Sequence, residues 1–502
     1  MLVVCVAVAV LCVICARFLL RYVIFRQTYN RLRGPGDTRF WSGDLHSYPG
    51  FNEAGLMYDV AYSERFKKFR RVWFGPFMPL VYLYHPDSLR QVIKSSAPKP
   101  RGGDLLVTSY DMMVPWLGEG LITTNGDHWA RQRHLLTPAF HLDTLRAYHD
   151  INNSCVDVMM DRLRESSKDG RSVDLYQFMY KLTLDIILQT AFSYSSGCQM
   201  EGGVSEYIKA ISRTQEILGK RFLTPLMYSD FLFRWSSEGQ EFYKLCDVAH
   251  RWSEAVISRR REQLETCPPD SGLKKKKKED FVDILLSATD ENGNRLSDRE
   301  IRDEVDTFLV AGHETTACGA MWTLYDLARH PDHQRRVQEE VTQVMGGRTD
   351  VAWEELSRLQ FTSQCIKESL RLHSPVPSVE RLLSEDVSVD GHTIPKGTVV
   401  TLYLWVLHHN SAVWEEPFEF RPERFDPDNV KAMDPFQFLP FSAGSRNCIG
   451  QHFAMNEMKV VIAKTIKNFT LTFDPSHKVE HQPSVSMKAV GGIYVHVKPA
   501  DA

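Results

Sequence analysis

The chain lacks a strong excess of charge of either sign: 60 Lys and Arg stand against 63 Asp and Glu, a net of −3 over 502 residues. That balance gives no broad basic field for nucleic acid, and no nucleic-acid motif accompanies it. A dense cysteine framework is missing as well. The ten cysteines are scattered, and the one C-x-x-C pair, Cys12 and Cys15, lies inside an apolar run. A disulfide scaffold is therefore not expected, and free thiols in a reducing compartment are. No fixed-period repeat occurs, which argues against solenoids and propellers. No G-x-G-x-x-G fingerprint falls on a strand-to-helix turn, so a dinucleotide is not expected to bind this chain. With 43% hydrophobic and 25% charged residues, what remains is an ordinary globular composition able to bury a large core.

The N-terminus is where apolar residues concentrate. Leu2 to Ala16 are unbroken apolar, and Phe18 to Leu20 and Tyr22 to Phe25 carry the stretch past Arg17 and Arg21. A helix of that length can cross a bilayer if the two arginines snorkel. A cleaved signal peptide is the alternative. No charged segment precedes the run, however, and Arg17, Arg21, Arg26, Arg31 and Arg33 all follow it, which predicts an uncleaved anchor with the body on the cytoplasmic side. Residues 1–33 are read as anchor and basic flank. The break at Gly34-Pro35-Gly36 opens a body of residues 34–502.

Within the body, Val72 to Phe74 and Leu80 to Tyr84 flank Gly75-Pro76 and predict a β-hairpin. Long amphipathic stretches then run from Leu121 to His330, with loops at Gly202-Gly203 and at Cys267-Pro268-Pro269-Asp270. Lys274 to Lys278 form a run of five lysines, read as a solvated loop, with a contact to anionic lipid or an acidic partner as the alternative. Short β-rich pieces between Val387 and Leu404 are broken by Asp390-Gly391 and Pro395-Lys396-Gly397. The sum is a mainly α body with small β-sheets.

One segment carries a chemical signal stronger than all others: Phe441-Ser-Ala-Gly444-Ser-Arg446-Asn-Cys448-Ile-Gly450, followed by a helical pattern from Gln451 to Lys467. A cysteine presented on a small-residue loop before a helix N-terminus can be held as thiolate by the helix dipole and free N–H groups. The segment resembles the haem-binding loop of the cytochromes P-450, F-x-x-G-x-R-x-C-x-G, at every fixed position, and other landmarks of that family follow along the whole chain. The resemblance implies the cytochrome P-450 fold, haem b with Cys448 as metal ligand, Gly444 and Gly450 giving the backbone close approach to the macrocycle, and Arg446 pairing with a propionate. Phe441 opens the same loop. Trp129-Ala-Arg-Gln-Arg133 matches W-x-x-x-R, implying that Trp129 and Arg133 also meet a propionate, and Arg381 is a further propionate candidate.

Glu368-Ser-Leu-Arg371 matches the family's E-x-x-R, a structural pair joined by a downstream arginine, here Arg424. Ser297-Asp-Arg-Glu300 is a capping box for a long helix ending at Pro331. Mid-helix, Ala311-Gly312-His313-Glu314-Thr315-Thr316 resembles the oxygen-binding segment, where the helix is expected to open locally. Thr315 is then the hydroxyl that hydrogen-bonds dioxygen during turnover, and Glu314 belongs to the proton-delivery path.

Gly126-Asp-His-Trp129, Leu136-Thr-Pro-Ala-Phe140-His141 and Cys448 through Val461 resemble the fatty-acid ω-hydroxylase branch, family 4. The implied activity is hydroxylation of a long-chain fatty acid or eicosanoid at or near its ω end, with O₂ and electrons from an NADPH-dependent cytochrome P-450 reductase. Cytochrome b5 is a second candidate electron donor, and the endoplasmic reticulum membrane the implied location. Another lipophilic substrate such as a steroid or xenobiotic, a haem-thiolate isomerase or dehydratase acting on lipid peroxides, and a non-enzymatic haem sensor are the other readings. Val310, Ala311, Val376, Val379, Val490 and Ile493 are the candidate pocket residues. Many vertebrate members of that branch carry, in place of Ala311, a glutamate that forms an ester to haem. An alanine has no carboxyl group, so acid–acetone extraction is expected to strip all haem from this polypeptide; haem left attached would contradict that expectation.

Overall fold

The computed structural model describes residues 2–95, 97–102, 108–200, 205–266 and 280–500; Gly202-Gly203, the Cys267 cluster and the Lys274 to Lys278 run lie outside the described residues. The body is mainly helical with small sheets. In chain order the strands are β1 (Phe69–Phe74), β2 (Met78–Leu83), β3 (Val173–Asp174), β4 (Val379–Leu382), β5 (Val387–Val389), β6 (His392–Ile394), β7 (Val399–Leu402), β8 (Phe469–Phe473), β9 (His481–Gln482), β10 (Lys488–Ala489) and β11 (Tyr494–Pro499).

β1 and β2 form the expected antiparallel hairpin, with Trp73 opposite Pro79. Its turn needs glycine at position 75, where φ is +66°. β2 then pairs in parallel with β7, and β4 closes the sheet in the order β1-β2-β7-β4. Two residues far apart in sequence thereby meet: Asp59 accepts from Tyr403 on one oxygen, at 2.8 Å, and from Arg70 on the other.

The N-terminal helix runs from Leu2 to Asn30. From Val4 to Arg21 every residue of this apolar helix is exposed, as a membrane span requires. Its last two turns nevertheless belong to the body. Tyr22 donates to the Pro76 carbonyl (2.9 Å), Arg26 lies over the Trp73 ring at 4.2 Å, and Tyr29 meets Thr398 at 2.8 Å. The helix ends at Asn30, ahead of Gly34-Pro35-Gly36, and these contacts tie it to the sheet.

A single helix, Asp298–Arg329, crosses the core. Ser297 and Glu300 cap it reciprocally. Pro331 stops it by lacking the N–H the next turn needs, and opens the following helix Pro331–Met345. Helices Leu175–Phe192, Ser237–Thr266, Gln360–Leu372 and Gln451–Asn468 pack around it. The C-terminal segment is pinned to this helix by a chain of polar contacts. Glu53 accepts from the His481 backbone N–H at 2.7 Å and pairs with its ring at 2.7 Å, His481 with His373 at 2.7 Å, and His373 with Asp326 at 3.2 Å. Trp322 stacks on both imidazoles, at 4.1 and 4.4 Å.

Glu368 and Arg371, on one face of the helix Gln360–Leu372, form a bidentate pair with both contacts at 2.8 Å and no exposure. The remaining guanidinium hydrogens go to the carbonyls of His408, Pro417 and Glu419. Arg424 reaches the same carboxylate at 3.2 Å, and the Arg421 N–H donates to it at 2.9 Å. The pair therefore ties this helix to residues 408–424, on the chain leading to the cysteine loop. Removing one partner strands a buried charge. Arg371→Ala is expected to cost about 3–5 kcal/mol, seen as a collapse in thermal unfolding temperature and in recovered haem-loaded protein. A melt unchanged from the parent would contradict this.

Candidate active site

The loop from Phe441 to Gly450 is closed by the Cys448 N–H donating to the Phe441 carbonyl at 2.9 Å. Gly450 is the N-cap of the helix Gln451–Asn468, so the sulfur sits just before that helix's free N–H groups. The surface Cys448 exposes is the wall of a cavity of about 480 Å³. Burial pushes its thiol up, against the pull of the Gly450 N–H and Arg133. A cation at the sulfur would favour the thiolate.

The two loop glycines differ in purpose. A Cβ on Gly450 would lie 4.0 Å from the Cys448 sulfur, on the cavity side. Gly444 does not reach the cavity. It takes φ +74°, and a Cβ there would come within 2.7 Å of the Ile93 carbonyl oxygen, so backbone packing against residues 86–94, rather than a macrocycle, requires it.

Cations gather at one edge of the cavity. Arg446 donates to the Thr124 carbonyl and Asn125 Oδ1, both at 2.9 Å, and its guanidinium lies 4.0 Å from the Trp129 ring centre. Arg133 donates to the Asn447 carbonyl and Oδ1, both at 3.0 Å. Lys99 donates to the Ile122 carbonyl. Arg381, 5% exposed on β4, bonds among the described residues only the adjacent Glu380 carbonyl, at 2.8 Å. Trp129, Lys99, Arg133 and Arg446 line the cavity; Arg381 stands behind them. Among the described residues, no carboxylate pairs with any of the four. Burial, then the neighbouring Arg381, brings Arg446 down to about 10. Burial, then Arg381 and Arg446, holds Lys99 well below the ordinary lysine range. Such a cluster is costly unless an anion completes it.

Val310, Ala311, Glu314 and Thr315 reach the same cavity from the long helix. The expected local opening is not present: the helix is continuous through 311–316. Thr315 donates to the Ala311 carbonyl at 2.8 Å within an unbroken turn. Gly312 serves packing, since a Cβ there would meet Ile187 Cδ1 at 2.8 Å. Glu314 accepts from Tyr180 at 2.8 Å, from Ser486 at 3.2 Å and from Gln215.

Of the other pocket candidates, Val376 and Val379 line the cavity; Val490 and Ile493 do not. Gly491 and Gly492 turn the chain with φ of +74° and +89°. Val490 is left 42% exposed, while Ile493 is wholly buried and bonded through its backbone to Asp174 and Leu175. Pro483 to Ser486, straight after β9, form the C-terminal wall instead. Lys99, Tyr180, Gln215, Glu380 and Ser486 are the wall or network residues that sequence patterns did not single out.

The fold and this site define a haem-thiolate enzyme, and the chain belongs to the cytochrome P-450 family, whose model matches residues 35–496. It is a monooxygenase of that family. It is 41% identical over 438 residues to leukotriene-B4 omega-hydroxylase 3 of Mus musculus, covering 86% of this chain and 82% of the relative. It is 40% identical over 454 residues to the ultra-long-chain fatty acid omega-hydroxylase of Homo sapiens, covering 89% and 85%. The solved cytochrome P-450DA haem domain superposes with a TM-score of 0.81 over 94% of this chain and 98% of that one, at 24% identity, which speaks to the fold alone.

Gly444→Ala places a side chain in the left-handed region and against a carbonyl. A loss of about 1–3 kcal/mol is expected, measured as a lowered unfolding temperature of the haem-loaded protein. An unchanged temperature would show that the loop relaxes freely.

Proposed function

We propose that the chain hydroxylates a long-chain fatty acid or related eicosanoid at or near its ω end. The observation that carries this reading is the cavity: it joins a largely apolar wall to Cys448 and to cations that have no carboxylate partner among the described residues. The relatives named above, both ω-hydroxylases, supply the substrate class.

The residues present fit haem b. Cys448 would hold the iron, and Lys99, Arg133, Arg446 and Trp129, backed by Arg381, would hold the propionates. Ala311 leaves that haem without a covalent tether. A thiolate-bound haem supplies the reductive activation of O₂ and the transfer of one oxygen atom into a C–H bond. The chain's own residues bind, orient and supply protons. Met112, Met113, Leu117, Phe222, Val310 and Val376 give the substrate chain an apolar wall. Thr315 presents a hydroxyl and Glu314 a carboxylate, the second fixed by three donors, so protons have a relay at the cavity wall. Overall, substrate, O₂, NADPH and one proton become alcohol, water and NADP⁺.

NADPH binds a separate flavoprotein reductase docked on basic residues near the cysteine side, with cytochrome b5 as an additional electron donor. The helix Leu2–Asn30 anchors the enzyme in the endoplasmic reticulum membrane, with the body facing the cytoplasm. A peroxide isomerase would leave the Glu314 and Thr315 pair without a task, and a haem sensor would too. The test is reconstitution with reductase, NADPH and O₂ on fatty acids from laurate to arachidonate and on leukotriene B4, with products located by mass spectrometry. Hydroxylation at or next to the terminal methyl is expected. Absence of NADPH-dependent product from every lipid would overturn the proposal, and turnover of a lipid hydroperoxide without NADPH would replace it.

A further inference from the structure

The C-terminal wall of the cavity, Pro483 to Ser486, is a loop between two very short strands. β9 and β10 share two residue pairs, His481 with Ala489 and Gln482 with Lys488, and one further bond runs from the Val490 N–H to the Glu480 carbonyl. A ribbon that small does not hold its own place in water, so its position comes from what its two arms are fastened to. On the β10 side, the Met487 N–H donates to the Pro375 carbonyl at 2.8 Å, and the Cys318 thiol donates to the Met487 carbonyl at 3.1 Å. On the β9 side, Pro483 has no N–H to donate, and His481 makes the tie.

The His481 ring stands in a row of side chains drawn from three other segments. Glu53 comes from the helix Glu53–Arg65, His373 ends the helix Gln360–Leu372, and Asp326 belongs to the long core helix. The contacts along the row, Glu53 to His481, His481 to His373 and His373 to Asp326, are 2.7, 2.7 and 3.2 Å. Trp322 stacks on both imidazoles, and Trp405 meets His481 edge-on at 4.8 Å. His373 and Asp326 are buried, where a hydrogen bond lost is costly.

The wall adjoins the helical segment that carries Thr315. Ser486 donates to Glu314 at 3.2 Å, Cys318 lies one turn further along the same helix, and Ser484 donates to the Gln215 carbonyl at 3.3 Å. A terminal methyl C–H bond is stronger than a methylene C–H bond, so oxidation at the last carbon requires the surrounding wall, and not bond strength, to choose the carbon. A misplacement of about 1 Å is enough to alter reactivity markedly.

We propose that His481 is a positioning residue, whose hydrogen bond to His373 fixes the C-terminal wall and so sets which carbon of a bound lipid is oxidised. The inference rests on the lipid reading above and deepens it.

The test uses the full-length, haem-loaded protein with laurate, reductase, NADPH and O₂, and follows amide hydrogen exchange in parallel without substrate. His481→Phe keeps a flat ring against Trp322 and removes both ring nitrogens. Exchange of residues 482–487 is expected to quicken about tenfold or more, and the ratio of terminal to penultimate hydroxylation to fall about threefold or more. His481→Gln sets an amide near the Nε2 position, able to donate to His373 or accept from it, and is expected to return both readouts toward those of the parent. Glu53→Ala and Glu53→Gln give the same pair of comparisons at the other end of the bond if His481→Phe loses haem. Unchanged exchange in the phenylalanine variant overturns the inference, and so does faster exchange with an unchanged product ratio. A glutamine variant that behaves like the phenylalanine one also overturns it, because the polar link would then not be what holds the wall. Parent protein that yields no hydroxylated laurate, or any other lipid product, overturns the lipid reading and the choice of carbon with it; the exchange arm still decides whether His481 holds the wall.

Discussion

Lys99, Arg133, Arg381 and Arg446 are held together around one cavity edge with no carboxylate among the described residues to neutralise them, and much of the fold serves to keep them there. Each is tethered by its own backbone or amide contact: Ile122 for Lys99, Asn447 for Arg133, Glu380 for Arg381, Thr124 and Asn125 for Arg446. These tethers fix direction without cancelling charge, which is what a site preorganised for a dianionic ligand requires. The cysteine loop carries one cation, Arg446, and the anchor of another, Asn447, beside the sulfur. The proposed metal ligand and part of the proposed propionate clamp are therefore carried on one loop. The buried Glu368–Arg371 pair holds the chain that leads into it.

Local patterns revealed the parts of this arrangement that are local. The capping box at Ser297, the stop at Pro331, the hairpin around Gly75 and the spacing of Glu368 and Arg371 each follow from a few adjacent residues, and each stands in the structure as read. Residues brought in from a distance were not legible. Lys99 lies in a Pro-rich stretch that marks only a loop, and Glu380 adjoins an arginine that drew attention to itself. Pro483 to Ser486 reach the cavity because the His481 and Trp322 cluster holds β9, a contact no periodicity encodes. Val490 and Ile493 failed as wall residues for the converse reason. The paired glycines between them reverse the chain and send one outward and the other into the core.

The glycines teach a related point. Gly444 and Gly312 sit within motifs that suggest cofactor or dioxygen contact, yet the neighbours that forbid a side chain are Ile93 and Ile187. Gly444 is set by a close backbone approach, and Gly312 by the Ile187 side chain packed against it. Motif residues can thus secure the scaffold as much as the chemistry. The proposed chemistry is concentrated in fewer groups: one sulfur, the cation cluster, the Thr315 hydroxyl and the Glu314 carboxylate.

The ligation of iron by the Cys448 sulfur is the claim on which the rest depends. It is tested most directly by the absorption spectrum of the purified, reduced protein under carbon monoxide. A strongly red-shifted Soret band, lost in Cys448→Ser, is the predicted result. A band at the unshifted position of imidazole-ligated haem, unchanged by that substitution, would contradict the account.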